Sequence, residues 1–531
     1  MKAATTPSRV NPVYPFRRPD DFDGRERHYP VCVVGAGPVG LAAAIDLKLR
    51  GVDVLLVDEG DTVSAGSRLI CLAKRSLEIF ARLGIGAELA AKGVVWNRGK
   101  VFHGDDLVYA FDLLPEEGHR WPAFINIQQY YVEEYLVDRA RSLGIDLRWK
   151  TRLTGTEDQG DGVRAQVSTP EGGYSFTCDW LLACDGVRST VRGGLDLPFR
   201  GQSFPDRFLI ADVRMKAEFP AERRFWFDPP FHAGRSALLH KQPDDIWRID
   251  LQLGPDADPE EEAKPERVLP RIRAMIGPDT PFDLEWVSVY TFRCRRLERF
   301  RHGRIFFLGD AAHQVSPFGA RGGNGGIQDA DNLAWKLAET MAGRAGAALL
   351  DSYEAERIPA ADENILNSSR STDFMTPVGG AAEALRDSAL SLSRTHAFAR
   401  SFVNSGRLST PALLAGSPLS TADEPECADF SGPMRPGAAA VDAPFGKGWW
   451  LDRLDGGFEL LHFTDEGGTG PERCAGLPVH CARPEGLLAS RYDGRPGTTW
   501  LFRPDQHVAA RWRSLDPALV GAALDRARGR P

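Results

Sequence analysis

The segment GAGPVG, Gly35 to Gly40, constrains the fold of this chain more than any other. It follows the apolar run Val31-Cys32-Val33-Val34 and opens the alanine-rich stretch Leu41-Ala42-Ala43-Ala44-Ile45-Asp46-Leu47. Strand, tight turn and helix in that order build a dinucleotide-binding α/β unit. Gly35 permits the turn, Gly37 lets backbone approach a pyrophosphate, and Gly40 lets the helix pack on the strand, so that phosphates meet the positive helix N-terminus. A second apolar run, Val54-Leu55-Leu56-Val57, ends in Asp58, about 20 residues past the glycines, where a carboxylate accepts from a ribose hydroxyl. An acid there repels a 2'-phosphate and suits the ADP-ribose of FAD or NAD. Glu59, next door, is a candidate to share that role.

Two further turns repeat the pattern of a buried strand emptying into glycine and acid. Trp180-Leu181-Leu182-Ala183-Cys184 runs into Asp185-Gly186-Val187-Arg188-Ser189-Thr190-Val191-Arg192, whose two arginines, four apart, can share a helical face and bridge a pyrophosphate or a nicotinamide cofactor. Far downstream, Ile305-Phe306-Phe307-Leu308 closes in Gly309-Asp310-Ala311-Ala312-His313. Asp310 is placed to accept from ribityl hydroxyls, and His313 to satisfy backbone groups of the turn. The glycine loop Pro317 to Gly326 then leads into a helix with apolar positions Ile327, Ala330, Ala334, Leu337 and Met341. So much glycine before a helix brings backbone donors close to a ligand, and a reduced flavin is an anion that such donors and the helix dipole stabilise.

A chain of 531 residues exceeds one core, and about three domains are expected. A net charge of -8 supplies no basic face for nucleic acid or anionic lipid. No apolar run has the length of a membrane span, and the polar N-terminus is unlike a signal peptide, so a soluble cytoplasmic protein is expected. Eight cysteines without a CxxC pair fit reduced thiols; Cys71 and Cys184 read as buried apolar side chains.

The fold class is mixed α/β. Residues 1–28, proline-rich and charged, read as an arm that can drape over the body. Residues 29–200 with 296–370 form a Rossmann-like dinucleotide domain, with 94–122 contributing to a second layer. Between 201 and 295 polar and apolar residues alternate, as in Trp247 to Leu253, which reads as an inserted antiparallel sheet with one buried face. The acidic stretch Asp256 to Glu262 reads as a solvated loop. Residues 371–437 read as a helical segment and linker, and 438–531 as strands followed by a helix that starts at Asp516-Pro517.

GAGPVG, CDGVRSTVR and LGDAAH in this order resemble the single-component flavoprotein aromatic hydroxylases, the group of para-hydroxybenzoate hydroxylase and phenol hydroxylase. Relatives of the 3-(3-hydroxyphenyl)propionate hydroxylase type look nearest, and the resemblance covers roughly residues 30 to 370. It implies that Gly35, Gly37, Gly40 and Asp58 hold the adenosine half of FAD. Arg68 and Gln129 match positions near the ribityl and phosphate groups, Asp185 and Gly186 the motif linked with FAD and NAD(P)H, and Asp310 the ribityl acid. Pro317 and the loop through Gly322, Gly323 and Asn324 would lie against the isoalloxazine ring. The last region resembles the thioredoxin-like domain of phenol hydroxylase relatives; without CxxC it cannot exchange dithiols, which leaves packing or homodimerisation.

The chain departs from the pattern twice. Ala320-Arg321-Gly322-Gly323-Asn324 stands where many relatives have Gly-Gln-Gly-Met-Asn, and Ile70 where phenol hydroxylase has an aspartate beside its substrate. The resemblance implies hydride transfer from NADH or NADPH to flavin, reaction with O2 to a hydroperoxide at carbon 4a, and oxygen transfer to a phenolic ring. With Ile70 unable to take a proton, Tyr290, His232 and His240 are the candidates for the base. Arg223, Arg224 and Arg235 are candidates to pair with a substrate carboxylate. Two alternatives stay open: a flavoprotein epoxidase acting on an olefin, and a non-catalytic flavin-binding protein. A halogenase is disfavoured because WxWxIP is absent.

Overall fold

The computed structural model describes residues 9–23, 26–66, 68–114, 116–217, 220–403, 410–424, 429–465 and 468–530. Its first layer is a parallel sheet in the order Asp146–Arg148, Val54–Val57, His28–Val34, Gly172–Ala183, Ile305–Phe307. The apolar runs fall at its centre because these strands are covered on both faces. An antiparallel hairpin, Arg152–Asp158 and Val163–Thr169, extends Gly172–Ala183. Helix Pro38–Leu49 packs beside helix Gly322–Met341, and the contact is tight: a Cβ at Gly326 would lie 2.7 Å from the Val39 side chain. Residues separated by almost three hundred positions therefore meet at one end of the parallel strands, where such sheets bind ligands.

The second layer is an eight-stranded sheet in the order His313–Gln314, Asp283–Leu297, Phe199–Arg214, Ile246–Gly254, Ser236–Lys241, Arg223–Phe227, Arg98–His103, Asp106–Asp112. Its last two strands come from the irregular stretch 94–122. Both faces are covered. Helix Pro265–Ile276 packs Val268 and Ile272 against Leu209, Trp247, Ile249 and Leu251. The other face turns to the dinucleotide domain, with Phe208 and Phe292 at 5.5 and 5.3 Å from the Phe318 ring. The sequence expectation of one buried face is thus extended to two, because polar residues of these strands such as Arg248 and Asp212 are themselves buried on the inner face.

The acidic stretch is also corrected. Pro259–Glu262 forms a short helix because the Asp258 carboxylate accepts from the amides of Glu260 and Glu261, and acids suit the positive first turn. The arm lies on the body: Tyr14 stacks on Trp149 at 4.5 Å, and Asp21 pairs with Arg148 at 2.9 Å. Its first eight residues, like Pro7 among them, lie outside the described residues.

The C-terminal sheet runs Arg473–Cys474, Leu477–Ala482, Glu459–Phe463, Thr499–Phe502, Val508–Trp512, with a parallel central pair. Asp516 caps the last helix, Pro517–Ala527, by accepting from the Ala518 amide at 2.7 Å. The unit docks through buried charges. Arg503 binds Glu356 and Asp505, Lys336 binds Glu356 at 2.6 Å, and Arg75 donates to the Asp505 carbonyl at 2.7 Å. Lys336 belongs to the helix that follows the glycine loop, so this domain steadies the far end of that helix. Among the described residues no helix is long and apolar enough to cross a membrane.

Candidate active site and dinucleotide cradle

Three glycines of the first turn do three different things. Gly35 has φ +103°, and a Cβ there would lie 2.5 Å from the Cys184 carbonyl oxygen. A Cβ at Gly40 would overlap the carbonyl of Gly35, which closes the helix onto the turn. At Gly37 a Cβ would meet nothing within 4 Å, so this residue opens the helix N-terminus to an approaching group. Asp58 is pinned beside it: its two carboxylate oxygens accept from the amides of Ala36 at 2.6 Å and Gly60 at 2.7 Å. Burial raises its pKa, and these amides hold the rise in check.

The second and third turns face one another. Asp185 accepts from the Val191 amide through one oxygen, while the other is buried without a partner; burial raises its pKa. Ser189 ends the 3-10 turn Gly186–Arg188 and caps helix Thr190–Gly194 by accepting from the Arg192 amide. Arg192 then reaches across to donate to the Ala311 carbonyl at 3.0 Å. Asp310, one residue earlier, is exposed and has no hydrogen-bond partner among the described residues. Desolvation nevertheless raises its pKa, with His313, Arg68 and Arg192 opposing.

The turn that carries Asp310 is braced from behind. Fully buried Asp329 accepts from the Gly309 amide at 3.0 Å, lies 2.6 Å from His313 Nε2, and accepts from Arg357 Nε at 2.6 Å. Burial pushes its pKa up, and His313 and Arg357 more than cancel that. His313 thus serves the turn through a carboxylate and not through backbone groups.

Beyond it, Pro317 is exposed, Gly319 has φ +90° and Ala320 has φ +52°. Gly322 and Gly323 open the long helix; a Cβ at Gly323 would lie 2.5 Å from Leu69. Leu69 is held in place because its amide donates to Gln129 Oε1 at 2.9 Å. Arg68, its neighbour, is exposed.

The inner face of the large sheet is read off its register. Trp286, Asp212, Arg248 and His240 lie opposite one another in one cross-strand row, which Arg223 continues. The adjacent row holds Ser288, Ile210, Asp250, Leu238 and Phe225. Arg248 is neutralised by two bonds to Asp212, at 2.8 and 2.9 Å. His240 is different. Both its ring nitrogens are buried without a hydrogen-bond partner, and Nε2 lies 3.7 Å from Asp250 Oδ2. Burial, aided by Arg223, pushes its pKa down to about 4, so it is a neutral imidazole. This row abuts Cys71, whose thiol burial pushes up to about 11, and Cys71 packs in one cluster with Trp96 and Ala320 of the glycine loop.

An open helix start, a pinned acid and an unpartnered carboxylate thus lie at the ends of strands of the parallel sheet. The FAD binding domain family matches residues 28–368. The chain belongs to that family. Over 371 residues it is 34% identical to the 12-dehydrotetracycline 5-monooxygenase/anhydrotetracycline 6-monooxygenase of Streptomyces rimosus, which covers 68% of this chain and 72% of that one. Over 358 residues it is 30% identical to the 3-(3-hydroxy-phenyl)propionate/3-hydroxycinnamic acid hydroxylase of Mycolicibacterium smegmatis, covering 67% and 63%. The rebeccamycin biosynthetic enzyme RebC, solved with reduced flavin, superposes with a TM-score of 0.74 at 26% identity over 96% of this chain and 100% of that one. The flavin-dependent monooxygenase PieE, solved with FAD and substrate, shares the fold: TM-score 0.76, 23% identity, 95% and 99% covered. The protein is an FAD-dependent aromatic monooxygenase.

Within this monooxygenase several expected site residues turn out to be otherwise engaged. Glu59 points to solvent and pairs with Arg152 at 3.5 Å, because the residue after Asp58 faces the opposite way. Arg188 and Arg192 do not share a helical face, since Ser189 starts a new element between them. The Asn324 side chain is buried and fully used, accepting from Ala73 N and Ser76 Oγ and donating to the carbonyls of Cys71 and Ala320. It locks the glycine loop and offers a ligand only backbone. Arg321, the cation of the unusual loop, is buried and points back to Asn364 at 3.4 Å. His232 lies 2.6 Å from the Gln252 carbonyl, and its neighbour Phe231 packs toward helix Pro265–Ile276, on the outer face. Tyr290, by contrast, stays on the inner face opposite Phe208, two rows and three strands from His240 in register, with its ring 6.3 Å from that of Trp286 in the His240 row. Asp329 and Asp250 were missed by sequence reasoning. A carboxylate inside an otherwise buried helix stripe was the signal for the first; nothing separated the second from a solvated residue.

Proposed function

We propose that this monooxygenase hydroxylates a phenolic ring, with FAD held by Gly35, Gly37, Gly40, Asp58, Asp185, Gly186, Asp310 and the backbone of Pro317, Gly322 and Gly323. When bound, FAD supplies the reduction by NADH or NADPH and the activation of O2 that ring hydroxylation needs. The chain supplies position, electrostatics and a proton acceptor. Asp310 and the helix starts at Pro38 and Gly322 fix the cofactor with donors, an acceptor and two positive dipole ends. Phe208, Phe292 and Phe318 form a dry aromatic wall beside it.

His240 is assigned as the acceptor of the phenol proton, with Asp250 as the carboxylate that orients it and stabilises the imidazolium. The observation that carries this is the pair of unpartnered ring nitrogens beside Asp250 on the face turned to the glycine loop. Removing the proton raises electron density at the ring carbons ortho and para to the oxygen. Tyr290, whose ring leans on Trp286 at 6.3 Å, is left to the aromatic wall. The relatives' names direct the choice of substrates to hydroxyphenylpropionate and anhydrotetracycline types.

Oxygen uptake and NAD(P)H oxidation across a panel of such phenols, with product analysis, test the reading. Substrate-stimulated turnover giving one added ring oxygen is expected. Oxygenated olefin as the only product would install the epoxidase, and no stimulation by any phenol would sink ring hydroxylation.

We further assign homodimerisation to the helices Gly380–Ser393 and Ala397–Val403, which leave Leu385, Phe398 and Phe402 61–66% exposed in one region.

A further inference from the structure

The C-terminal domain braces the helix behind the glycine loop, and it also grips the main chain of the segment between strands Asp106–Asp112 and Phe124–Asn126. The grip comes from Arg491, in helix Gly486–Tyr492. Fully buried Tyr492 seats that helix, its hydroxyl donating to the Val441 carbonyl at 2.7 Å. From this platform Arg491 donates to the carbonyls of Glu117 and Gly118, each at 2.7 Å, and to the Asp442 carbonyl of its own domain. Its guanidinium also lies 3.1 Å from His119 Nε2. Burial, with Lys74 and Arg491 adding to it, lowers the His119 pKa to about 4, so the ring is neutral and Nε2 accepts. Leu487 of the same helix closes on Gly118 and leaves no room there for a Cβ.

The gripped segment is continuous with the substrate side. Leu113 and Leu114, just ahead of it, pack with Cys71, Trp96, Ile70 and Ala320, and the Leu113 amide donates to the Asn97 carbonyl at 2.9 Å. Just after it, Phe124 stacks on Trp96 at 5.3 Å, and Arg223 of the His240 row lies 5.8 Å over the Trp96 ring. The cluster therefore joins the His240 row to the glycine loop. Its members Ile70, Leu113, Leu114 and Ala320 are only half-buried, so it keeps an open apolar face. Glu117 to Arg120 have no helix or strand of their own to hold them. A guanidinium fork that meets several carbonyls at once supplies what regular structure does not. At its other edge the same domain is bound to the helix after the glycine loop, through Arg503, Glu356 and Lys336. One rigid unit thus holds both that helix and the segment that faces the loop.

We infer that Arg491 is a positioning residue for substrate selection: by pinning Glu117 and Gly118 it fixes Leu113 and Leu114 as a side wall of the phenol cavity. The C-terminal domain then sets the room available to the aromatic ring. This rests on the reading of the His240 row as the phenol site. Arg120, which pairs with Asp452 at the exposed rim of the same contact, ties the two domains without gripping main chain and serves as the control.

Hydrogen exchange of the FAD-bound enzyme and steady-state kinetics test it together. In Arg491→Met the amides of Leu113, Leu114 and Glu117 to Arg120 should exchange about tenfold faster or more, the scale of a lost bond to a charged group, while those of Gly322 to Gly326 keep their rates. KM for a phenol of the hydroxyphenylpropionate type should rise by about tenfold with kcat within about twofold, since the loss falls on binding and not on oxygen transfer. Arg491→Lys, still able to donate to carbonyls, should recover part of both effects, and Arg120→Ala should produce neither. Unchanged exchange in Arg491→Met overturns the clamp, and faster exchange that spreads to Gly322 to Gly326 overturns its local action. An unchanged KM, or one that rises as much in Arg120→Ala, overturns the role in selection. If no phenol stimulates NAD(P)H oxidation by the wild type, ring hydroxylation falls while the exchange pattern still decides the clamp.

Discussion

The Asp310 turn and the His240 row both place charge inside the protein, but they treat it in opposite ways. Behind Asp310, each oxygen of Asp329 meets a donor, and the turn is held before any ligand arrives. In the row, His240 and Arg223 each keep an unpartnered atom, as does Asp250 in the adjacent row, although Arg248 and Asp212 beside them are fully matched. Such atoms cost roughly 1–3 kcal/mol each when buried. A cofactor that stays bound rewards a finished cradle, whereas a substrate that comes and goes needs groups whose hydrogen bonds are still unspent. The difference teaches where to look for stability and where to look for chemistry.

The largest effect expected from that contrast is at Asp329. Asp329→Ala leaves Arg357 and His313 buried without their carboxylate, and stability should fall by about 3–5 kcal/mol in urea unfolding. Asp310→Ala, only a few residues away in space, removes no internal bond. It should leave stability within about 0.5 kcal/mol and weaken FAD retention by about tenfold or more, the scale of a hydrogen bond to a charged group. Equal losses of stability in the two variants would erase the distinction between brace and binding group.

The dinucleotide half was legible because its rules are written in backbone: Gly35, Gly37 and Gly40 are fixed by sterics that no other residue satisfies, and Asp58 follows at a set distance. The same logic failed for Asn324, whose residue type suits a ligand but whose local surroundings claim it first. The sheet was legible as a sheet and misleading about its faces. Alternation from Trp247 to Leu253 marks which residues share a face, but it does not say whether the polar face meets water or another domain. Only the packing of the dinucleotide domain on Arg248 and Asp250 settles that. Asp329 shows the converse: a carboxylate among Ile327, Ala330 and Ala334 can stay buried only with a cation, and its partner Arg357 is 28 positions away.

A middle-sized effect tests the unspent end of the comparison through pH. The folded pKa of His240, about 4, lies below the unfolded value of about 6.5. Between those values the unfolded chain binds more protons, so stability is present above pH 6.5 and is lost as pH falls through 4. The contribution of this one side chain amounts to roughly 3 kcal/mol across that window. His240→Gln should therefore be less acid-sensitive than the wild type by about that amount in urea unfolding at pH 7 and pH 4, while its kcat drops by about 100-fold. Parallel acid profiles for the two proteins would mean that His240 is not the neutral, desolvated group assigned here.

The smallest effect concerns the loop where cradle and substrate face meet. Ala320 sits at φ +52°, a conformation that costs a residue with a Cβ about 1–2 kcal/mol and a glycine little. Relief of that strain in Ala320→Gly is opposed twice: the methyl packs in the cluster of Cys71, Ala73 and Trp96, worth about 0.8 kcal/mol, and glycine adds about 0.5–1 kcal/mol of unfolded-state entropy. The terms nearly cancel, and a change within about 0.5 kcal/mol is expected. The loop keeps its shape in either case because Asn324 still donates to the carbonyl of residue 320 at 2.6 Å. A gain above about 1 kcal/mol would show that the strain outweighs the packing, so that the alanine is retained at a cost to stability where ring and substrate meet.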